Sequence, residues 1–393
     1  MMVSVEEAKK IVVDNVPASK AILLALQQAA GLVVAQDVYA TIDIPAFEQS
    51  SMDGYAIRFQ EKEMPLKVTG EMAAGTPQQL QLQAGEAVRI FTGAPLPQGA
   101  DTVVMQEKVN LQNGLLVIED ATLKHGSNVR NKGAEIKAGS LAIPQGCYLS
   151  PAAIGFLAGI GIVHVMVYPM PSVTIILTGK ELQTPGNQLL TGQVYESNSY
   201  SLTAALQQAG IKNILVHQVD DDLTIVKNQL DIALANSDII LLTGGVSVGD
   251  YDFVVPATRL CAISQHFHKV KQKPGKPLFF GTKNNTLVFG LPGNPSAVLS
   301  CFYNYVLPAI ELFAHKKSSV QKVEARLAKD YSKPKGLTQF LKGAYSNGDA
   351  MPLSAQESFQ LSSFAQADCL ICLEEAHGDY LAGELVQVLL LPR

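Results

Sequence analysis

Cysteine is scarce in this chain, with five among 393 residues. An odd and small number supplies no disulfide framework and points to a reducing compartment, read here as the cytoplasm. Positive charge is not in excess either. The formal net charge is -5, which gives no global electrostatic footprint for nucleic acid, so local basic clusters carry more meaning than the total. No uninterrupted apolar run reaches bilayer-spanning length. Leu157–Val167 is apolar but short, and it is broken by glycines and His164, so no membrane partner is expected. The N-terminus lacks the apolar core of a secretory signal, because acids and lysines interrupt it by Lys10. What the chain has in quantity is apolar substance. Hydrophobic residues make up 47% and charged residues 17%, ample for buried cores, and the length predicts about two to four domains.

The segment from Ser237 to Phe253 reads SDIILLTGGVSVGDYDF. Ile239–Leu242 is a short continuous apolar run, the mark of a buried strand in a parallel sheet. Thr243, Gly244 and Gly245 then stand where open α/β sheets bind ligands, past the carboxyl end of a strand. Paired glycines let backbone N–H groups approach an anion. Asp250 and Asp252 follow, and carboxylates beside an anion loop imply a shared cation, with Mg²⁺ the usual one. A tight turn with solvated acids is the other reading of the same residues.

The surrounding pattern is strand, helix, strand, helix, strand. It runs Val173–Leu177, Tyr200–Ala209, Ile214–Val219, Leu223–Ala235 and Ile239–Leu242, and it predicts a doubly wound sheet. Two of the strands end in Leu-Thr-Gly and the third in Asp220-Asp221-Asp222. If the strands run parallel, Glu181, Asp221 and Asp252 share one rim. Next come Lys269, Lys271, Lys273 and Lys276, the densest basic cluster, with Pro274-Gly275 between the last two. The KPGKP turn would fix two lysines on one side, or the lysines would protect an edge strand. Strands Leu278–Phe280 and Thr286–Phe289 lead to Leu291-Pro292-Gly293-Asn294-Pro295-Ser296, which opens a helix to about Phe313. A helix N-terminus there favours an anion.

The first half of the chain reads differently. Ser4-Val5-Glu6-Glu7 has capping-box spacing, with a helix to about Val13. Pro17–Gly31 places Ile22, Leu23, Leu26 and Ala30 on one helical face, and a second helix is expected there. Met52-Asp53-Gly54-Tyr55-Ala56 puts one carboxylate before a strand, or simply makes an Asp-Gly turn. From about Phe59 to Ala138 short strands alternate with Gly, Pro and Asn, which predicts a small inserted β-domain. Within it Phe91-Thr92-Gly93-Ala94-Pro95 ends a strand in a Thr-Gly loop. Arg130 and Lys132, near Glu135, are candidates for phosphate or for a solvated turn. Ser150-Pro151 starts a helix that Gly159 and Gly161 end. After His315 the period is strand-like, with turns at Asn347-Gly348 and His377-Gly378. Cys369 and Cys372 have CxxC spacing without a second pair, so they read as ordinary strand residues.

Taken together, MDGYA, FTGAPLPQGAD, TGKEL, TGGVSVGDYD, KPGKP and GLPGNPSA, in this order, resemble the MoeA family of molybdopterin molybdenumtransferases, whose eukaryotic relatives form the E domain of gephyrin. The resemblance covers essentially the whole chain. It implies an α/β plus all-β fold in an elongated multidomain chain. The expected divisions are residues 1–46 with 139–170 as a helical and extended dimerisation domain, 47–138 as an inserted β-domain, 171–316 as a doubly wound α/β domain, and 317–393 as a β-barrel-like domain. It implies a homodimer whose cleft lies between the α/β domain of one subunit and the inserted domain of the other. The implied reaction inserts molybdate into adenylylated molybdopterin, with Mg²⁺ as cofactor and AMP released, and molybdopterin adenylyltransferase is a candidate partner.

Carried over by motif, Asp53, Thr92, Glu181, Asp221 and Asp252 match catalytic positions, with Asp222 the alternative to Asp221. Thr243, Gly244, Gly245, Ser247, Lys269, Lys273, Lys276, Pro292 and Pro295 match substrate-binding ones. Glu181, Asp53, Asp221, Asp252 and Glu135 are the metal candidates. The chain departs from the pattern at Gly133-Ala134-Glu135, where Gly-Glu-Asp is usual, at Lys342 in place of arginine, and at Ser358–Ser363. A pterin-binding scaffold, an adenylyltransferase on the same α/β domain, and a tungstate-handling relative are the alternatives.

Overall fold

The structure is a computed structural model, and it describes residues 2–77, 79–245 and 253–392. The chain forms two compact units. One comprises Met1–Ile22, Gly31–Val33 and Tyr168–Arg393; the other comprises Leu23–Ala30 and Val34–Val167.

The first unit is built on a six-stranded sheet. Its order is Ile214–Val219, Val173–Thr178, Ile239–Thr243, Thr286–Leu291, Pro277–Lys283, Ser264–Lys269. The first four strands pair in parallel and the last two antiparallel. The central strands Val173–Thr178, Ile239–Thr243 and Thr286–Leu291 are buried at every position. That is why their sequences are unbroken apolar runs rather than alternations. Helices cover both faces. On one side Val226, Leu230 and Ala233 of helix Leu223–Asn236 pack on Ile176, Ile240 and Leu242. On the other, Val298, Phe302, Tyr305 and Ile310 pack with Ile175, Leu241 and Phe289. Helix Val5–Asp14 joins that second core through Val5, Ala8 and Val12. Its capping box forms as read: the Glu7 backbone N–H donates to Ser4 Oγ at 3.2 Å, and Ser4 N–H donates to Glu7 Oε2 at 2.8 Å.

The helix after the PGNP loop runs from Pro295 to Phe313. Its middle turn, Phe302–Val306, is a π-helix. Among the described residues it is one helix long and apolar enough to cross a membrane by length and composition, and 78% of that stretch is buried inside the fold. The C-terminal segment closes a barrel. Strand Thr338–Ser346 pairs with Asp349–Pro352 and also with Cys369–Leu373, and the ring is completed through Gln321–Leu327 and Leu385–Leu390. The Asn347-Gly348 turn is a two-residue hairpin with both residues at positive φ, 53° and 88°, as such a turn demands.

The second unit holds another six-stranded sheet, in the order Thr102–Met105, Gly54–Ile57, Glu86–Ile90, Leu66–Met72, Leu115–Ile118, Val109–Gln112. Helix Pro151–Gly159 begins with Ser150 Oγ accepting from Ala153 N–H. The expected helix over Pro17–Gly31 does not form. Ile22–Ala25 is a strand and Leu26–Gln28 a single 3₁₀ turn, with Leu26 N–H donating to Val163 O at 2.8 Å. Leu23 is 62% exposed and Ala30 exposed while Leu26 is buried, so the expected face is split. Pairing with a distant strand overrides the weak intrinsic preference of the segment.

Candidate active site

In the first unit the candidate residues gather at the carboxyl ends of parallel strands. Strand Ile239–Thr243 passes into Gly244 at φ +86° and Gly245 at φ +58°. A Cβ on Gly244 would lie 2.3 Å from the Thr178 carbonyl oxygen, so this loop is closed to any side chain and exposes only backbone. Thr178, in the neighbouring strand, is 4% exposed, and its Oγ1 has no partner among the described residues. The hydroxyl of Thr243 is occupied: it donates to Pro292 O at 3.1 Å.

Asn198 holds the arrangement together. Its Nδ2 donates to Thr243 Oγ1 at 2.9 Å and to Gly293 O at 2.8 Å. One amide therefore ties the TGG loop to the PGNP loop. The sequence reading missed it, since Ser197-Asn198-Ser199 at a helix start looks like capping chemistry. The PGNP loop is braced from its other side as well. Asn294 Nδ2 donates to Ser358 Oγ at 2.7 Å, and Ser296 N–H donates to Ser358 O at 3.1 Å. Pro295 takes the first position of its helix, where its missing N–H costs nothing.

The acids sort themselves. Asp222 is the N-cap of helix Leu223–Asn236, accepting from Thr224 and Ile225 N–H. Asp221 Oδ2 instead accepts from Lys180 N–H at 3.1 Å, which brings it to the loop carrying Glu181. The Glu181 carboxylate folds over Gly179, whose added Cβ would meet both oxygens at 2.9 Å. Two carboxylates thus flank the Gly179–Lys180 peptide, Glu181 exposed and Asp221 half-buried. Ser247, Asp250 and Asp252 lie outside the described residues. Among the described residues no group of three His, Cys, Asp or Glu side chains is placed to hold a metal ion.

Lys273 and Lys276 are exposed and Lys269 is half-buried. Lys271 is committed to Glu375, with Nζ at 2.9 Å from Oε1, and no described carboxylate makes an ion pair with the other three. Cys369 is buried in its strand and Cys372 half-buried. Burial pushes their thiols up to about 12 and about 11, as ordinary strand residues would have them.

In the second unit, Asp53 and Thr92 meet. Asp53 Oδ1 accepts from Thr92 N–H at 2.8 Å and Thr92 Oγ1 at 2.7 Å. The Thr92 backbone N–H, then its hydroxyl, then the charge of Arg89 hold the Asp53 carboxyl below its usual range. Gly54 is required because its Cβ would fall 1.9 Å from the Val104 carbonyl oxygen. Arg89, which the sequence reading did not single out, lies over the rings of Tyr55 and Phe91 at 4.9 and 5.2 Å. Arg130 and Glu135 line one cavity of about 550 Å³ with Ile44, Pro45, Ala46 and Gln49. Lys132 does not join them as a free cation: it pairs with Asp43 at 3.4 Å.

Comparison with known proteins accounts for all three parts of the chain. Residues 3–161 match the family described as MoeA N-terminal region (domain I and II). Residues 174–312 match the probable molybdopterin binding domain, and residues 324–391 match the MoeA C-terminal region (domain IV). The molybdopterin molybdenumtransferase of Haemophilus influenzae is 32% identical over 398 residues, covering 98% of each chain. That of Nostoc is 39% identical over 323 residues, covering 79% of this chain and 74% of its own. A crystal structure of the molybdopterin biosynthesis MoeA protein from Pyrococcus horikoshii superposes with a TM-score of 0.84 at 30% identity, covering 99% of both.

Proposed function

This chain belongs to the MoeA family, and on that premise we infer that it is a transferase of molybdenum cofactor biosynthesis, inserting molybdate into adenylylated molybdopterin. One observation carries the reading to particular residues. The glycine loop, the PGNP loop and the carboxylates Glu181 and Asp221 are set at the same strand-end edge of one sheet.

The substrates are anions. Backbone N–H groups of Gly244 and Gly245 suit phosphate oxygens. Lys273 and Lys276 bind oxyanions as point charges, and have no carboxylate of their own among the described residues to satisfy first. Glu181 and Asp221 fit Mg²⁺: they are hard oxygen donors, and this ion is commonly held by one or two carboxylates together with substrate phosphates. When bound, the ion polarises the phosphoryl group and offsets charge on the departing AMP. Asp53 is kept ionised by Thr92 and serves the same chemistry, with Asp252 and Glu135 as further acidic contributors. The dithiolene sulfurs of the pterin receive the metal, so no nucleophilic side chain is needed. Burial drives the thiols of Cys261, Cys301, Cys369 and Cys372 upward, to about 11, 12, 12 and 11, far from thiolate character. The working form is a cytoplasmic homodimer, supplied by a molybdopterin adenylyltransferase.

The test is AMP release from adenylylated molybdopterin with Mg²⁺, with and without molybdate. Molybdate-dependent release is expected, lost in Asp53→Ala and Glu181→Ala variants that remain folded. Tight pterin binding without release would instead mark a scaffold.

A further inference from the structure

Beneath the KPGKP turn lies a buried polar network. Gln272 is 1% exposed, and its Nε2 donates to Gly275 O at 3.0 Å, across the turn. Its Oε1 accepts from the hydroxyl of Tyr305, itself 1% exposed. Burial raises the Tyr305 phenol well above its usual range, so the hydroxyl is a donor at every working pH. A donor on one side fixes which way the amide points: Oε1 toward Tyr305 and Nε2 toward the turn. The same Nε2 lies 3.5 Å from Cys301 Sγ.

The turn also rests directly on the helix that begins at the PGNP loop. Gly275 has φ +86°, and a Cβ there would lie 2.5 Å from Cys301 Sγ and 3.7 Å from Ala297 O. Val270 N–H closes the turn on Lys276 O at 3.0 Å. Tyr305 belongs to the π turn Phe302–Val306 of that helix. Such turns change which side chains face a given neighbour and are frequent at functional sites. One helix therefore presents the PGNP loop at its start and, one to three turns on, supports the lysine turn through Cys301 and Tyr305.

We propose that Tyr305 and Gln272 are positioning residues for Lys273, holding the lysine turn in register with the PGNP loop through helix Pro295–Phe313. This rests on the assignment of Lys273 as an oxyanion ligand. The lysines reach into solvent and make no described ion pair, so the backbone of the turn sets where their charges lie. A small tilt of that backbone moves the ammonium groups by a larger distance at the end of four-carbon stems.

The experiment is a double-mutant cycle on the full chain, reading kcat and KM for molybdate and for adenylylated molybdopterin in molybdate-dependent AMP release. The readout is whichever KM Lys273→Met raises. Tyr305→Phe should raise that same KM roughly tenfold while kcat stays within about twofold. The double variant should be no worse than Lys273→Met alone, because both changes act on one interaction. Gln272→Met, of similar volume and without the amide, should reproduce the effect, and it replaces Tyr305→Phe if that variant does not fold. Wild-type KM in both network variants beside a raised KM in Lys273→Met overturns the coupling, even where thermal stability falls. Losses that multiply in the double variant overturn it too. Wild-type KM values in Lys273→Met overturn the assignment of Lys273 itself.

Discussion

The lysine turn at 273–276 and the loop at 353–363 solve one problem in opposite ways. Both present polar groups from a buried foundation. Under the turn the foundation is uncharged, Gln272 and Tyr305, and the lysines point outward. Under the loop the foundation is itself a lysine. Lys342 is 2% exposed, and its Nζ donates to Ala355 O, Gln360 O and Glu357 O at 2.7, 3.0 and 3.3 Å. Beside the exposed carboxylate of Glu357, the loop offers a neutral hydroxyl, that of Ser358, which braces Asn294. A buried ammonium with three acceptors is saturated and has nothing left for a ligand. An exposed one on a neutral base keeps its capacity. The departure from arginine at Lys342 is thus absorbed by backbone carbonyls alone, which suit three separate donors as well as a planar fork.

The contrast can be broken most severely at Lys342. Lys342→Met should remove one donor from each of three carbonyls, two of which keep a second in Ser363 Oγ and Gln360 N–H, and cost about 3 kcal/mol of stability, measured by urea unfolding. Gly275→Ala comes next, at about 2 kcal/mol, since alanine must adopt positive φ against Cys301. Adding Cys301→Ala should return part of that loss, which would separate the steric share from the backbone share. Asn294→Ala should change stability by only about 1 kcal/mol yet lower kcat/KM several-fold, because it removes one of the two bonds that tie the PGNP loop to Ser358. Lys271→Met, at a half-exposed ion pair with Glu375, should cost under about 1 kcal/mol.

A pH series sharpens the comparison further. Burial holds the Lys342 ammonium below the ordinary lysine value. Between that lowered folded value and the ordinary one, the unfolded chain binds the proton that the folded chain has released. Stability conferred by Lys342 therefore rises with pH through that window. The difference in unfolding free energy between wild type and Lys342→Met should grow as the solution is made alkaline. A flat difference would mean that the ammonium is fully offset by its carbonyls.

The α/β core was legible because buried parallel strands are written as unbroken apolar runs, and their ends are marked by Thr-Gly and by acids. Asp53 and Thr92 were each singled out by motif, but their contact was not legible, since 39 residues separate the pair in sequence. Asn198 and Gln272 were illegible for a common reason. Each acts through an amide with at least one partner more than thirty residues along the chain, Thr243 and Gly293 for Asn198 and Tyr305 for Gln272, and no spacing rule records such contacts. Pro17–Gly31 failed because an apolar period of three to four is also produced by a short strand followed by a 3₁₀ turn. The acidic triplet could not be resolved by composition. Capping took Asp222 and left Asp221 to the neighbouring loop.

The discontinuity of the first unit has a consequence for how the protein is made. Helix Val5–Asp14 packs in a core with Leu307, Ala309 and Ile310, so it emerges from the ribosome roughly 300 residues before its partners, or about 15–60 s at ordinary rates of synthesis. The Val34–Val167 stretch carries its own sheet and can fold during that wait. The N-terminal helix cannot, and an apolar face of Val5, Ala8 and Val12 is left uncovered on a nascent chain. The cover over that face is complete only once helix Leu307–Phe313 has been made.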